Sequence, residues 1–193
     1  MESMLNVSVS QFTELLASKT SVPGGGGACA LVASIGISLG DMVGEFTVGK
    51  KKYADVEADI LKLMEEAQTL RVQLLACIDK DAQAFEPLSK AYGIPKEAPG
   101  RDAQLELCLR DAAAAPYEIM ELTDRALAIL DAFNAKGSKL MLSDAVTGIA
   151  LCKAALKGAA VNVKVNTKLM QERAYADALD AKVDAMLSKH GVQ

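Results

Sequence analysis

The chain contains no tryptophan, and aromatic residues make up only 4% of its 193 positions. A core with so few rings has to be built from Ala, Leu, Val, Ile and Met, side chains that suit closely packed helices. Histidine occurs once, at His190, and the four cysteines (Cys29, Cys77, Cys108 and Cys152) form no CxxC pair. A Cys/His zinc site is therefore not expected, and no other metal-ligand cluster stands out. All four cysteines fall in apolar helical surroundings and are read as reduced core thiols. The net charge is −4 with no basic face, which argues against nucleic acid as a partner. Strand signals are also scarce: there is no period-2 alternation and no Asn-Gly or Asp-Gly hairpin turn. Met1 to Val9 has no basic segment leading into an apolar one, so no secretory signal is read there. The most apolar stretch, Ala28 to Gly40, is too short to span a bilayer and runs into Asp41 and Glu45. A soluble, cytoplasmic protein without a membrane partner is expected.

What is present is helical periodicity. Hydrophobic residues make up 51% and charged residues 24%, a globular balance with no composition shift to mark a boundary. Residues 1–193 are read as one all-α domain, an up-and-down bundle of about six helices. Ser8 and Gln11 form a capping-box pattern ahead of Phe12, Leu15 and Leu16, so a first helix starts at Ser8 and ends before Thr20. Pro23-Gly24-Gly25-Gly26-Gly27 breaks the chain, and a second helix runs from about Ala28 to Val48. Gly36, Gly40 and Gly44 lie four apart on it and form a bare ridge for close packing. A third helix spans about Tyr53 to Tyr92, followed by a loop from Gly93 to Gly100. The fourth spans about Arg101 to Ala135, with Pro116 as an expected kink and Gly137 at its close. Ser138 to Leu156 and Gly158 to Lys189 complete the set, as two helices or one continuous one.

A few polar residues sit where a plain bundle does not need them. On the third helix, Leu63, Ala67, Leu70, Leu74, Ile78, Asp81, Phe85 and Leu88 follow at steps of three or four and define the buried stripe. Asp81 lies inside it, whereas Asp79 points elsewhere and is read as solvated. A carboxylate on an apolar face is costly unless paired, and partial desolvation raises its pKa towards that of a general base. The same position also suits a carboxylate that pairs inside the bundle. The run Pro23 to Gly27 can bring backbone N–H groups to a ligand, or serve only as a tight turn. It matches neither the phosphate-loop nor the dinucleotide pattern. Lys50, Lys51 and Lys52 suit a helix C-terminus and equally an anionic substrate. Asp144 opens an otherwise small, apolar segment, and Gly158, Asn162 and Asn166 share one face downstream. Those amides are placed to hydrogen-bond another helix or a substrate. No Ser-His-Asp set and no redox motif is present.

The order of these segments narrows the choice. Pro23-Gly24-Gly25-Gly26 before a small apolar helix resembles the opening of the formiminotetrahydrofolate cyclodeaminase/methenyltetrahydrofolate cyclohydrolase family. Met42-Val43, Thr47-Val48-Gly49-Lys50-Lys51-Lys52-Tyr53, Asp79-Lys80-Asp81-Ala82-Gln83-Ala84-Phe85, Ser143-Asp144 and Gly158-Ala159-Ala160-Val161-Asn162-Val163 continue the resemblance. It covers the chain from about Val9 to Lys168. It implies an all-helical homodimer acting on one-carbon-loaded tetrahydrofolate, with no cofactor beyond that carrier substrate. It implies Asp81 as the proton acceptor, matching the second aspartate of the Asp-x-Asp-Ala-x-Ala-Phe motif. With that substrate, charge and shape point to folate-binding roles for Pro23, Gly24, Gly25, Gly26, Lys50, Lys51, Lys52, Asp144, Asn162 and Asn166. The lysines would meet the glutamate tail, and the amides and Asp144 the pterin edge. Gly27 departs from the pattern, since many relatives carry serine there. Hydrolysis of 5,10-methenyltetrahydrofolate is the reaction favoured, with ring closure of 5-formiminotetrahydrofolate as the alternative. A non-catalytic helical binding module is the competing reading.

Overall fold

The computed structural model describes residues 3–192. Six α-helices make up most of it: α1 (Val9–Leu16), α2 (Gly25–Glu45), α3 (Glu57–Ala91), α4 (Arg101–Lys136), α5 (Leu142–Thr167) and α6 (Arg173–Lys189). Short 3-10 turns lie at Met4–Asn6, Lys51–Tyr53 and Lys139–Met141, and no strand occurs among the described residues. Helices α2, α3, α4 and α5 form a four-membered ring in that order. Each packs on its two neighbours, and α2 also reaches α4 across one diagonal. Helices α3 and α5 occupy the other two opposite corners. Helix α6 lies outside the ring against α5 and α4.

The ring closes tightly because its helices meet at glycine and alanine. A methyl group at Gly36 would stand 2.6 Å from Cys152 Sγ and 2.9 Å from the Gly148 carbonyl. One at Gly40 would press on Leu130 and Phe133, and one at Gly44 on Met64. The bare ridge thus seats α5, α4 and α3 in turn. Phe133, Ile37, Leu70, Leu74, Ile119, Met120 and Leu130 fill the space between, each fully buried. Helix α1 begins as the capping box requires: Gln11 N donates to Ser8 Oγ, and Ser8 N donates to Gln11 Oε1. Of its apolar face only Phe12 is buried, while Leu16 is exposed.

Three local expectations need correction. Helix α2 starts at Gly25, so Gly25, Gly26 and Gly27 are its first turn and not a break before it. Helix α5 runs through Gly158 to Thr167, because the bare Gly158 makes room for Cys29 Sγ, 2.5 Å from where a Cβ would sit. The chain turns only after Thr167, where Arg173 Nη1 donates to the Thr167 and Met170 carbonyls at 2.8 and 3.3 Å. Asp79 is not a solvated bystander: its carboxylate accepts from Ser3 Oγ at 2.5 Å and Met4 N at 2.8 Å, pinning the N-terminal turn to α3.

By length and hydropathy alone, the segments Gly25–Glu45 and Lys139–Thr167 would suit a membrane span, longer than the apolar run seen in sequence. Half of the first segment's apolar window is buried inside the bundle. The rest of α2 forms an outer face on which Leu31, Ile35, Leu39, Met42 and Phe46 follow at steps of three or four, with Ile35 and Phe46 nearly half exposed.

Candidate active site

At the end of the ring where α2 begins, the four helices leave a cleft of about 220 Å³. Each corner contributes. Gly24, Gly25 and Gly26 come from the start of α2, Asp81 and Phe85 from α3, Ala112 and Pro116 from α4, and Asn162, Val165 and Asn166 from α5. Ser21 and Val22, just ahead of α2, complete the rim.

Asp81 is the acid of this cleft. It sits two turns past Leu74 on the face of α3 that packs into the ring, and is itself only partly exposed. Its Oδ2 accepts from Gly27 N at 3.0 Å. Its Oδ1 lies against the bare Cα of Gly26, where an added Cβ would be 2.1 Å away. Burial pushes the Asp81 pKa above the ordinary carboxylate value, and the Gly27 N–H partly offsets this. The other first-turn amides, those of Gly25 and Gly26, have no hydrogen-bond acceptor among the described residues. Helix N-termini leave such groups unsatisfied, and here Gly25 and Gly26 line the cleft. Gly27 differs from its neighbours. A Cβ there would meet Ile78 at 3.6 Å and Pro23 at 3.7 Å, ordinary contacts, so a small side chain fits at this position.

The α5 wall is amide. Asn162 Nδ2 donates to the Gly158 carbonyl at 2.8 Å. Asn166 Nδ2 donates to the Asn162 and Ala112 carbonyls, both at 3.0 Å, tying α5 to α4. The Asn162 amide lies over Gly25, where a Cβ would be 3.0 Å from both of its terminal atoms. Cys29, one turn into α2, abuts Gly158 behind this wall. Burial and the nearby Asp81 charge push its thiol up to about 11. It is half-buried, whereas Cys77, Cys108 and Cys152 are core residues, and all four are free. Among the described residues, no three His, Cys, Asp or Glu side chains converge as a metal site would need.

Of the residues singled out from sequence, Gly24, Gly25, Gly26, Asp81, Asn162 and Asn166 come together here. Pro23 is buried just behind the rim, next to Gly27. Lys50, Lys51, Lys52 and Asp144 do not join them within one chain. The lysines follow the C-terminal end of α2, and 21 helical residues place them about 30 Å from the glycine turn. Asp144 sits in the first turn of α5, at that same far end. There the Ser138 N–H donates to Thr47 Oγ1 and the Lys139 N–H to Tyr53 OH. Lys50 and Lys52 lie over the rings of Phe46 and Tyr53. The sequence reading missed Ser21, Val22, Ala112 and Val165, and took Pro116 only for a kink. Small apolar residues on a helix carry no signal that separates a cleft wall from a core.

In sequence and fold the chain is similar to known proteins along nearly its whole length. The chain is 34% identical over 190 residues to methenyltetrahydrofolate cyclohydrolase of Methylorubrum extorquens, covering 96% of this chain and 91% of that one. It is 26% identical to formimidoyltransferase-cyclodeaminase of Mus musculus, matching along its full length but spanning only 36% of that longer protein. Its fold superimposes on the crystal structure of formiminotetrahydrofolate cyclodeaminase from Thermotoga maritima with a TM-score of 0.86 at 28% identity, covering 96% of this chain and 92% of that one. The formiminotransferase-cyclodeaminase family profile matches residues 8–185, and with this agreement in sequence, helix order and fold the chain belongs to that family.

Proposed function

We propose that the protein hydrolyses 5,10-methenyltetrahydrofolate to 10-formyltetrahydrofolate, with Asp81 as general base. One observation carries the reading: a half-buried carboxylate with a raised pKa and one free oxygen at the meeting point of four helices. The 34% identity to a cyclohydrolase over nearly both chains favours hydrolysis over ring closure. Water attacks the carbon bridging N5 and N10, and Asp81 Oδ1 takes one of its protons. The bond from that carbon to N5 breaks as the C=O forms. Asp81 returns its proton to N5, and the remaining hydroxyl proton leaves to solvent. Substrate cation and water thus become neutral product and one released proton.

The cleft is smaller than the roughly 300–1,000 Å³ of common ligand sites, so it takes the reacting end of folate and leaves the tail outside. Pro23 and the glycine turn let the ring lie close to the backbone. We place the protein in the cytoplasm, as a homodimer joined through the apolar outer face of α2. That face leaves Ile35 and Phe46 nearly half exposed, apolar surface that a second copy would cover. Lys50, Lys51, Lys52 and Asp144 serve the folate tail or ring only where a second copy brings its far end beside the cleft. In the alternative chemistry, N10 attacks the formimino carbon of 5-formiminotetrahydrofolate, ammonia leaves, and Asp81 relays the proton.

The test follows the methenyl chromophore. Purified protein should speed its loss well above the spontaneous rate, and Asp81→Asn should not. Formation of that chromophore from 5-formiminotetrahydrofolate, without its hydrolysis, would assign the alternative. Silence towards both substrates would leave a non-catalytic module.

A further inference from the structure

Asn162 and Asn166 are more than generic polar lining. An amide side chain has two faces, a donor nitrogen and an acceptor oxygen, and a backbone carbonyl takes only the donor. Both asparagines turn Nδ2 to carbonyls: Asn162 to Gly158, and Asn166 to Asn162 and Ala112. Their Oδ1 atoms have no protein donor among the described residues. Separated by one helical turn, the two residues stand about 5–6 Å apart at Cβ on one face of α5. The α5 wall of the cleft is therefore an acceptor pair held in register by the main chain.

Its position relative to Asp81 gives it a meaning, taking the folate reading as the base. Asp81 is on α3 and the amides are on α5, at opposite corners of the ring with the cleft between them. In a pterin, N5 and N8 stand opposite each other across the ring. With the N5–N10 bridge at Asp81, the far edge faces α5. That edge carries N8 and the 2-amino group on either side of N1. In reduced pterins N8 bears a hydrogen, and in the fully oxidised ring it bears only a lone pair. We propose that Asn162 and Asn166 are specificity-determining residues that select reduced folates by accepting from the N8–H and 2-amino edge. An oxidised ring sets its N8 lone pair against a fixed Oδ1, and both are acceptors.

The probes are tetrahydrofolate, 7,8-dihydrofolate and folic acid, the last two being close in shape but unlike at N8. Titration calorimetry on the wild-type protein should show both reduced forms binding about tenfold tighter than folic acid or better, the scale of one acceptor left unpaired. In Asn162→Ala and Asn166→Ala, the ratio of folic acid to dihydrofolate dissociation constants should fall towards one. Asn166→Ala also cuts the tie to α4, whereas Asn162→Ala removes a bond only within α5, so the second variant reads selectivity without that added strain. Circular dichroism checks the fold of each. Equal binding of dihydrofolate and folic acid by the wild type would overturn the assignment, as would an unchanged ratio in both folded variants. Either result alongside normal turnover of methenyltetrahydrofolate removes the acceptor pair alone. A wild type that neither binds nor converts any reduced folate removes the folate reading itself.

Discussion

Asp81 is held between opposing influences. Burial favours its protonated form, while the N–H of Gly27 favours the carboxylate. Because the folded pKa lies above the unfolded one, its contribution to stability is complete below the unfolded pKa and is lost as pH rises through the folded value. Above that folded value the native protein carries the cost of an ionised, partly desolvated acid. Asp81→Asn should remove that cost while removing the base. We expect kcat to fall by about 10² or more, and Tm measured above the folded pKa to rise. A variant that is both slower and less stable would contradict this account. The pH profile should follow the same group: the rate should climb as pH rises through the elevated pKa of Asp81 and level off above it. Asp81 was legible in the sequence because a carboxylate on an apolar stripe is out of place. Asp79, two residues away, was not, since its partners Ser3 and Met4 lie about 75 positions distant and leave no periodic trace.

The glycines at the start of α2 give a second kind of test, at the level of the element. They look alike in sequence and differ in what surrounds them. Gly26→Ala would drive a methyl group into the Asp81 carboxylate and should abolish turnover. Gly27→Ala meets only ordinary contacts and should turn over near the wild-type rate. Equal behaviour of the two would argue against the local geometry. Deeper in the helix, Gly36→Ala presses on Cys152 and on the backbone of Gly148. Overpacking of that kind costs about 1–3 kcal/mol, readable as a lower urea midpoint. The ridge was legible from its four-residue spacing. The continuity of α5 was open to either reading, because Gly158 signals a break unless its neighbour Cys29 is known to need the room.

At the scale of the molecule, the two ends of the ring carry unlike chemistry. The cleft with Asp81 lies at one end, and Lys50, Lys51, Lys52 and Asp144 at the other. Sequence order brought them into one list because it does not say which end of a bundle a residue reaches. On the proposed dimer, Ile35→Glu at the centre of the exposed α2 face should give monomers in sedimentation velocity; a dimer unchanged by it would place the interface elsewhere, and a monomeric wild type would remove the proposed dimer. Replacing Lys50 and Lys51 by Ala should raise KM for polyglutamylated substrate, and no change at low salt would remove them from tail binding.

The unsatisfied amides of Gly25 and Gly26 belong to the main chain, and this shapes how the site can vary. Every amino acid except proline supplies the same N–H, so inheritance acts on this wall only as a limit on size. An alanine scan would report crowding there and miss the hydrogen bonding altogether. Exchanging a backbone amide for an ester by chemical synthesis is the substitution that would expose it.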